Sequence, residues 1–396
     1  MNTRNNTRFG IIAAGNWIVD HVKIIDAYPA QDALANIQNE FINNGGSPFN
    51  VLKDLSRLGA AFPLKGIGLV GNDANGEWIK QECERCGIEA SELFSSDKAA
   101  TSYTDVMSVA STGRRTFFHQ RGANAFLNES HFDFSGSTEK IFHLGYLLLL
   151  DALDAIGDDG LTAAARVLHR ARQAGLETCV DLVSSESPHF SATVTPSLPF
   201  VDYLFLNEFE AEKCTGITLC EAITLDALRQ SAQTLFEKGV TKWVVIHFAQ
   251  GVYARHKNGE EIFKGALSLP NELIVSSVGA GDALLAGTLF GIHEGWNMNE
   301  SIKLGICAAA SSLLHASCSE GVQQFKDCLK LEKLYEIVEI AKKINLPIIV
   351  GTEMNSPGQK FVDDFSTDEL SPLLPEFLRG SYIVYAHSIL QSSGIG

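Results

Sequence analysis

The feature that most constrains the fold is an alternation of short apolar runs with amphipathic helical segments along most of the chain. Apolar runs of strand length predict buried strands, and apolar residues spaced three and four apart predict helices between them. Strands that alternate with helices build a largely parallel sheet covered on both faces. We therefore predict an α/β fold with a three-layer α/β/α core. The predicted strands are 9–14, 66–70, 141–150, 178–183, 203–206 and 243–247, and the predicted helices are 48–58, 77–86, 161–174 and 225–238.

Two stretches break this alternation. Residues 37–43 and 101–118 mix polar and apolar side chains, as half-exposed antiparallel strands do. We predict a small sheet that projects from the core, with its strands within about 17–43 and 101–121, and a lid over an active site is one use for it. The length of 396 residues allows one large α/β domain and an appendage. We place the main domain at 1–325 and a C-terminal extension at 326–396, docked on the core or on a partner subunit.

The charge balance excludes two classes of partner. The chain has 31 basic and 47 acidic residues and a formal charge of −16, whereas nucleic acids and anionic membranes select clustered Lys and Arg. Asp151 and Asp154 end the most apolar run far short of a membrane span. The polar N-terminus has no signal-peptide core. Of the eight cysteines only Cys83 and Cys86 form a C-x-x-C, which is better explained by two buried thiols on a helix than by a zinc or redox site, so a reducing cytoplasm is expected.

The most informative segment is Gly279-Ala280-Gly281-Asp282, which follows an apolar run read as a strand ending at Ser276. Backbone N–H groups at the start of a helix are unpaired and form an anion site, and glycines let a phosphate approach closely. Asp282 could accept a proton from an attacking hydroxyl beside that site. An ordinary tight turn, with Asp282 complementing the helix dipole, explains the segment equally well.

Asn207 and Glu210 follow the predicted strand 203–206 and have the spacing of a helix cap. Their functional interpretation places Asn207 near nucleotide phosphates and Glu210 near water around Mg²⁺. Taken alone, the pair is better explained as a cap.

Two early segments carry hydroxyl-binding groups. Gly45 and Gly46 precede a helix that contains Asn50, and two glycines there can expose backbone donors to a polyol. Asn16 and Asp20 follow the first strand, where an Asp can grip two adjacent hydroxyls. Simple turns explain both segments as well.

Together these segments resemble, in the same order, the ribokinase/PfkB family of carbohydrate kinases over about residues 8–325. Residues 68–76 are similar to the family's G-x-V-G-x-D-x-x-G, and Arg121 begins an Arg-Gly-Ala-Asn run that follows the lid strands as in sugar-kinase members. Several motifs in order are more specific than any single glycine loop. The resemblance implies a ribokinase-like fold and transfer of a phosphoryl group from ATP, with Mg²⁺, to a hydroxyl of a sugar or sugar acid.

The resemblance also assigns roles. It makes Asp282 the general base and the amides of residues 279–282 the anion hole. The acceptor would be bound by Asn16, Asp20, Gly45, Gly46, Asn50 and Arg121; the nucleotide would lie near Asn207, Gly251 and Gly321, and Glu210 would organise Mg²⁺. A nucleoside kinase of the same fold and a non-catalytic sugar or nucleotide sensor are the alternatives, and a homodimer through the lid sheet is a further expectation.

Two departures from the family pattern affect cofactor use. Ser276 and Ser277 stand where the family has Asp-Thr, whose Asp often helps hold a monovalent cation, so potassium activation is in doubt. Of the family's Thr-x-Gly-x-x-Gly run, residues 246–251 keep only Gly251. We expect Phe248 to crowd the space that a glycine would leave open and to alter the nucleotide contacts.

Overall fold

The computed structural model describes residues 8–112, 114–267, 269, 274–326, 338, 342–343 and 371–379. The predicted C-terminal extension at 326–396 lies mostly outside the described residues. Val338, Leu373 and Phe377 are described and buried. The division at residue 325 and the docking of the extension stay predictions.

The elements of the described residues follow the predicted alternation. The strands are β1 (Ile11–Gly15), β2 (Ile18–Ile25), β3 (Ile37–Gly45), β4 (Leu64–Gly71), β5 (Ile88–Ser96), β6 (Tyr103–Val109), β7 (Arg115–Gln120), β8 (Ile141–Leu147), β9 (Glu177–Leu182), β10 (Tyr203–Asn207), β11 (Trp243–Phe248), β12 (Gly251–His256) and β13 (Glu261–Gly265). The helices are α1 (Ser47–Leu58), α2 (Ala74–Arg85), α3 (Asp151–Asp154), α4 (Ala163–Gln173), α5 (Phe190–Val194), α6 (Glu208–Thr215), α7 (Leu225–Glu237), α8 (Ala280–His293) and α9 (Met298–Ser312).

Nine strands form the central sheet, in the order β13-β12-β11-β10-β9-β8-β1-β4-β5. Seven neighbouring strands of this sheet are parallel to one another: β5, β4, β1, β8, β9, β10 and β11. Strands β12 and β13 add an antiparallel edge. Because parallel strands are joined by crossovers, helices cover both faces of the sheet. The predicted α/β class with a mostly parallel sheet is confirmed.

Strand β1 shows how the two faces are filled. Ile11 and Ala13 belong to one apolar cluster, which includes residues of α1, α2, α8 and α9. Ile12 and Ala14 belong to the other, which includes residues of α4 to α7. Side chains alternate across a strand, so a run of small and branched apolar residues buries both faces. This is the physical basis of the three-layer core.

The lid is a separate four-stranded sheet in the order β3-β2-β6-β7. Strands β2 and β6 pair in parallel, whereas β3 and β7 pair antiparallel to them. Ile37, Ile42, Phe117 and Phe118 are at least half exposed, and the adjacent Phe117 and Phe118 lie on opposite faces of this sheet. The small sheet is confirmed, and a homodimer through it stays a prediction.

One predicted strand is wrong. The apolar residues before the glycine turn do not form a strand within 274–277, and Ile274 and Val275 are largely exposed. The amides of Val275 and Ser276 instead donate to the carbonyl oxygen of Leu313. A strand needs a neighbouring edge to pair with, which the apolar pattern alone does not reveal. In the part of the chain that the structure describes, we find no helix with the length and apolar character to cross a membrane.

Candidate active site

A cavity of about 550 Å³ opens at the edge of the central sheet where the parallel strands end. Ligands bind at this edge in open α/β sheets, outside the carboxyl ends of the strands. The lid contributes one wall and the start of α8 another. The hydrogen-bonding side chains that line the cavity include Asp20, Asn50, Tyr146, Asp181, Glu210 and Asp282.

Asp282 lies in the first turn of α8 and is nearly fully buried. Its Oδ2 accepts hydrogen bonds from Asn50 Nδ2 and from the Tyr146 hydroxyl, each at 2.8 Å, and its Oδ1 lies 3.0 Å from the same hydroxyl. Burial raises the pKa of Asp282 to about 6, and the donors Asn50 and Tyr146 oppose that rise. A carboxylate with a pKa near neutrality is suited to accept a proton.

The glycine turn before α8 has a backbone conformation that a side chain would not tolerate. Gly279 is the N-cap of α8 with φ of 82°, and an added Cβ would lie 2.8 Å from atoms of the buried Cys318. The amide of Ala280 donates to the Ser277 carbonyl at 3.4 Å, and Ala280 does not line the cavity. The amides of Gly281 and Asp282 therefore remain as the first-turn donors for an anion.

A chain of amides fixes the orientation of Asn50. Lys53 Nζ donates to Asn44 Oδ1 at 3.0 Å, so the amide nitrogen of Asn44 is left to donate to Asn50 Oδ1 at 2.6 Å and to Ser319 Oγ. The nitrogen of Asn50 then faces Asp282. Each side chain has a single orientation that satisfies its neighbours, which makes Asn50 a fixed donor.

Asp20 enters the cavity from β2, the lid strand that follows β1. Burial raises its pKa from the ordinary 3.8 to about 7, while the Thr104 hydroxyl opposes the rise. Its carboxyl lies against Gly45, where an added Cβ would approach within 2.5 Å. Gly46 has φ of 84°, and its Cβ would collide with the backbone oxygen of Asn16. Both predicted glycines are thus required by close packing, Gly45 against Asp20 and Gly46 against Asn16.

Asp181, at the end of β9, is a second buried carboxylate in the cavity. Its Oδ2 accepts from Ser47 Oγ at 2.9 Å, and its buried Oδ1 has no hydrogen-bond partner but lies 3.6 Å from His143 Nε2. Burial and the charge of Asp282 raise the pKa of Asp181. His143 Nε2 lies 2.7 Å from the same Ser47 oxygen. Ser47 lies between His143 and Asp181, and His143 is wholly buried. These three side chains therefore do not have the serine–histidine–aspartate order of hydrolases.

Asn207 and Glu210 form the helix cap that their spacing predicts. Asn207 Oδ1 accepts from the Glu210 amide, and Glu210 Oε2 accepts from the Asn207 amide at 3.0 Å. Both residues also line the cavity, so the structural and functional interpretations are compatible. Burial raises the pKa of Glu210 to about 7. Among the described residues, no three His, Cys, Asp or Glu side chains are grouped so that they could hold a metal ion.

Besides Gly45 and Ala280, four other predicted site residues do not line this cavity. Asn16 is fully buried, donates to the Leu149 carbonyl and accepts from the Tyr146 amide, so it joins the ends of β1 and β8. Arg121 is paired with Asp151 at 2.8 Å on a largely exposed surface. The other two are Gly251, which packs against the backbone of β13, and Gly321, which packs against the end of α9.

A second cavity of about 670 Å³ lies next to the first. Successive residues line the two cavities: Asn207 and His247 line the first, and Glu208 and Phe248 line the second. The ring of Phe248 is buried and lies 6.2 Å from the ring of Phe263. Its side chain thus forms a wall of the second cavity and leaves the first one clear.

Sequence analysis did not single out Tyr146 or Asp181. Both lie inside apolar runs that predict buried strands, and a polar residue at the end of such a run gives little signal by itself. The predicted strands 141–150 and 178–183 place both residues before the strand ends, so the rule that side chains at the carboxyl ends face a ligand site did not single them out.

A family comparison identifies the chain. The family model of pfkB family carbohydrate kinases matches residues 14–324. This chain belongs to that family. As a pfkB family carbohydrate kinase it is a sugar kinase, an enzyme that transfers a phosphoryl group to an alcohol.

Individual relatives are distant in sequence. The chain is 25% identical over 295 residues to the uncharacterized sugar kinase YeiI of Escherichia coli, covering 72% of this chain and 74% of that protein. It is 21% identical over 325 residues to the 5-dehydro-2-deoxygluconokinase of Shouchella clausii, covering 80% and 93%. The structure of Arabidopsis thaliana ribokinase complexed with ribose and ATP superposes with a TM-score of 0.68 at 20% identity, covering 82% and 98%. The pfkB kinase thus has a ribokinase fold.

Proposed function

We propose that the protein phosphorylates a hydroxyl of a sugar or sugar acid with ATP and Mg²⁺, and that Asp282 is the general base. The observation that supports this most directly is the position of Asp282: a buried carboxylate, held by two donors, beside unpaired amides at a glycine-rich helix start. Phosphoryl transfer requires these two features, a base for the hydroxyl and donors for the phosphoryl oxygens.

In the proposed transfer, one bond to the γ-phosphorus forms while another breaks. The acceptor hydroxyl gives its proton to Asp282 while its oxygen forms a bond to the γ-phosphorus of ATP. The bond from that phosphorus to the bridging oxygen breaks, and ADP leaves. The amides of Gly281 and Asp282 stabilise the charge on the transferring group, and positioning supplies much of the remaining rate.

The donor set fits Mg²⁺ held chiefly by phosphates and water. Both oxygens of Glu210 are engaged with Asn207 or Ser184, so Glu210 acts through water. Mg²⁺ keeps several waters and takes one or two carboxylates together with substrate phosphates. When bound, it would neutralise charge that develops on the phosphates.

The acceptor would lie between the lid and the start of α1. Asp20, Asn50 and Gly46 line this part of the cavity, as the resemblance implies. A carboxylate beside fixed amide donors suits vicinal hydroxyls, since carboxylate oxygens accept from both hydroxyls and a carboxamide can donate to one. The nucleoside end of ATP would lie towards the second cavity, between Phe248 and Phe263.

The test is ADP release with Mg-ATP over a panel of aldoses, ketoses, sugar acids and nucleosides, with Asp282→Asn as the control. Because a general base contributes about 10² to 10⁴ in rate, we expect kcat on the true acceptor to fall about 10³-fold in the variant. Asparagine is nearly isosteric, so the thermal midpoint should stay within a few degrees of that of the unchanged protein.

Three other outcomes of this assay would change the proposed function. Turnover on nucleosides alone would replace the sugar acceptor with a nucleoside. Ligand binding without turnover on any acceptor would favour a sensor, and full activity in Asp282→Asn would remove Asp282 from the mechanism.

A further inference from the structure

Tyr146 makes an unusual contact for a residue inside an apolar run. Tyr146 lies near the end of β8, 136 residues before Asp282 in the sequence. Its hydroxyl lies within 3.0 Å of both carboxylate oxygens of Asp282. Burial and the neighbouring charge of Asp282 raise the pKa of the Tyr146 hydroxyl, so the phenol keeps its proton and acts as a donor.

Asp282 is therefore held from two directions. Asn50, on α1, donates to Oδ2, and Tyr146, on β8, donates across the carboxylate. Two donors on different elements fix both the rotation and the tilt of a carboxylate, which one donor cannot do. The backbone of Tyr146 is itself held, because its amide donates to the buried Asn16.

Burial opposes the ionised form of Asp282. Burial and the charge of Asp282 also raise the pKa of four nearby carboxyls, those of Asp54 on α1 and of Asp20, Asp181 and Glu210, which line the cavity. The remaining titratable groups that line it are the imidazoles of His119 and His247, both with a lowered pKa, and the thiol of Cys318, with a raised pKa; burial is the main cause for each. Because a base must be ionised before it accepts a proton, a neutral donor directed at Asp282 has a functional use.

We propose that Tyr146 is a positioning residue whose hydroxyl orients the Asp282 carboxylate towards the acceptor hydroxyl and favours its ionised form. The inference rests on the proposed role of Asp282 as the base. Tyr146 takes no proton in the transfer; it acts through Asp282, and phenylalanine in its place would keep the ring and remove the donor.

The test compares Tyr146→Phe with Tyr203→Phe, a matched control. The Tyr203 hydroxyl also donates to a carboxylate, Glu177 Oε2 at 2.6 Å, but neither residue lines the cavity. The Asp282 carboxyl is titrated by carbon NMR in the protein without substrates, and its signal is assigned by its loss in Asp282→Asn. A hydrogen bond to an ionised group corresponds to about one to two pKa units, so Tyr146→Phe should raise the Asp282 pKa by about one unit or more.

Kinetics on the acceptor that the panel identifies give the second readout. We expect kcat of Tyr146→Phe to fall about tenfold at pH 6.5 and less at pH 8.5, with the acid limb of the profile moved to higher pH and the KM for Mg-ATP unchanged. In the Asp282→Asn background, Tyr146→Phe should cause little further loss, because residues that act as one unit are not additive.

Three results would overturn the proposal: an unchanged Asp282 pKa in Tyr146→Phe, an equal shift in Tyr203→Phe, or an equal loss of kcat with and without Asp282. The NMR titration needs no turnover. A protein that turns over no acceptor but shows the shift would therefore contradict the proposed function and leave the Tyr146 contact established.

Discussion

The two neighbouring cavities are built in different ways. The first is lined by polar side chains that meet from distant parts of the chain: Asp282 is bonded to Asn50, 232 residues away, and to Tyr146, 136 residues away. The second is lined largely by residues 220–228 and 248–250 together with the ring of Phe263. Chemistry on a hydroxyl needs atoms fixed within tenths of an ångström, whereas an aromatic wall needs only a suitable shape. We expect substitutions in the first cavity to affect kcat and those in the second to affect KM.

After Asp282→Asn, the largest effect that would test this difference is expected at Gly279. Gly279→Ala would place a Cβ against Cys318 at a positive φ, and the turn that aims the first-turn amides would have to move. Because one such donor contributes about 10² to 10³ in kcat, we expect a loss of about 10²-fold in the coupled assay.

Gly59→Ala is the matched control for Gly279→Ala. Gly59 has φ of 85° but open space around its Cβ position, so this variant introduces backbone strain without a steric clash. It should lose stability without losing kcat. Equal activities of the two variants would show that the Gly279 turn has no catalytic role.

Asp20 should give the next largest effect. Asp20→Asn removes a carboxylate acceptor for the substrate hydroxyls, and a hydrogen bond to a charged group contributes about 10- to 100-fold, so kcat/KM for the acceptor should fall by that factor. The KM for Mg-ATP should stay the same, because Asp20 enters from the lid. A raised KM for Mg-ATP would mean that the two substrates share this wall.

Asp20→Asn should also change stability with pH. The folded-state pKa of Asp20 is raised from 3.8 to about 7, so its contribution to stability is fully present below pH 3.8 and is lost as the pH rises through 7. The variant should therefore be more stable than the unchanged protein at pH 8, by about 1 kcal/mol or more, and the gain should disappear near pH 4. Urea unfolding at both pH values measures this, and an equal effect at both would contradict burial as the cause.

Phe248 tests the second cavity. If its ring is a wall for the nucleoside, Phe248→Leu should raise the KM for Mg-ATP about fivefold or more with kcat within about twofold, since base–aromatic stacking contributes about 1 to 3 kcal/mol. Phe134→Leu is the control, because Phe134 is buried but lines neither cavity. A lower KM in Phe248→Leu would instead support the crowding that the sequence predicts.

Arg121 should give the smallest effect. Its partner Asp151 and its exposure place it outside both cavities, and exposed ion pairs contribute about 0 to 1 kcal/mol. Arg121→Ala should change the acceptor KM less than twofold with neutral sugars and with sugar acids. A large rise for sugar acids alone would restore the substrate-binding role that the resemblance implies.

Much of the fold could be predicted because its signals are local. The apolar runs at 203–206 and 243–247 match β10 and β11, and the amphipathic segments 48–58 and 225–238 match α1 and α7. The run before Ser276 has the same local signal, but its described residues 274–276 are not in a strand, and the amides of Val275 and Ser276 donate to the Leu313 carbonyl, so the same rule fails there.

The candidate site shows the same limit. Gly279 to Asp282 could be found because a turn, a helix start and a carboxylate are adjacent in sequence. Tyr146 and Asp181 could not be found in this way, because each is one polar residue in an apolar run. Its role depends on which side chains from other elements face it in the folded chain.

The sequence by itself determined the α/β alternation, the small projecting sheet, the glycine turn before α8 and the motif order of a pfkB carbohydrate kinase. The tertiary structure decided that Tyr146 and Asn50 hold Asp282, that Asp20 and Asp181 are buried beside it, and that Phe248 faces a separate cavity. The physical reason is the distance along the sequence over which each kind of signal acts. Periodicity and turn chemistry act over a few residues, whereas hydrogen bonds and the desolvation of carboxyls depend on elements that only the folded chain brings together.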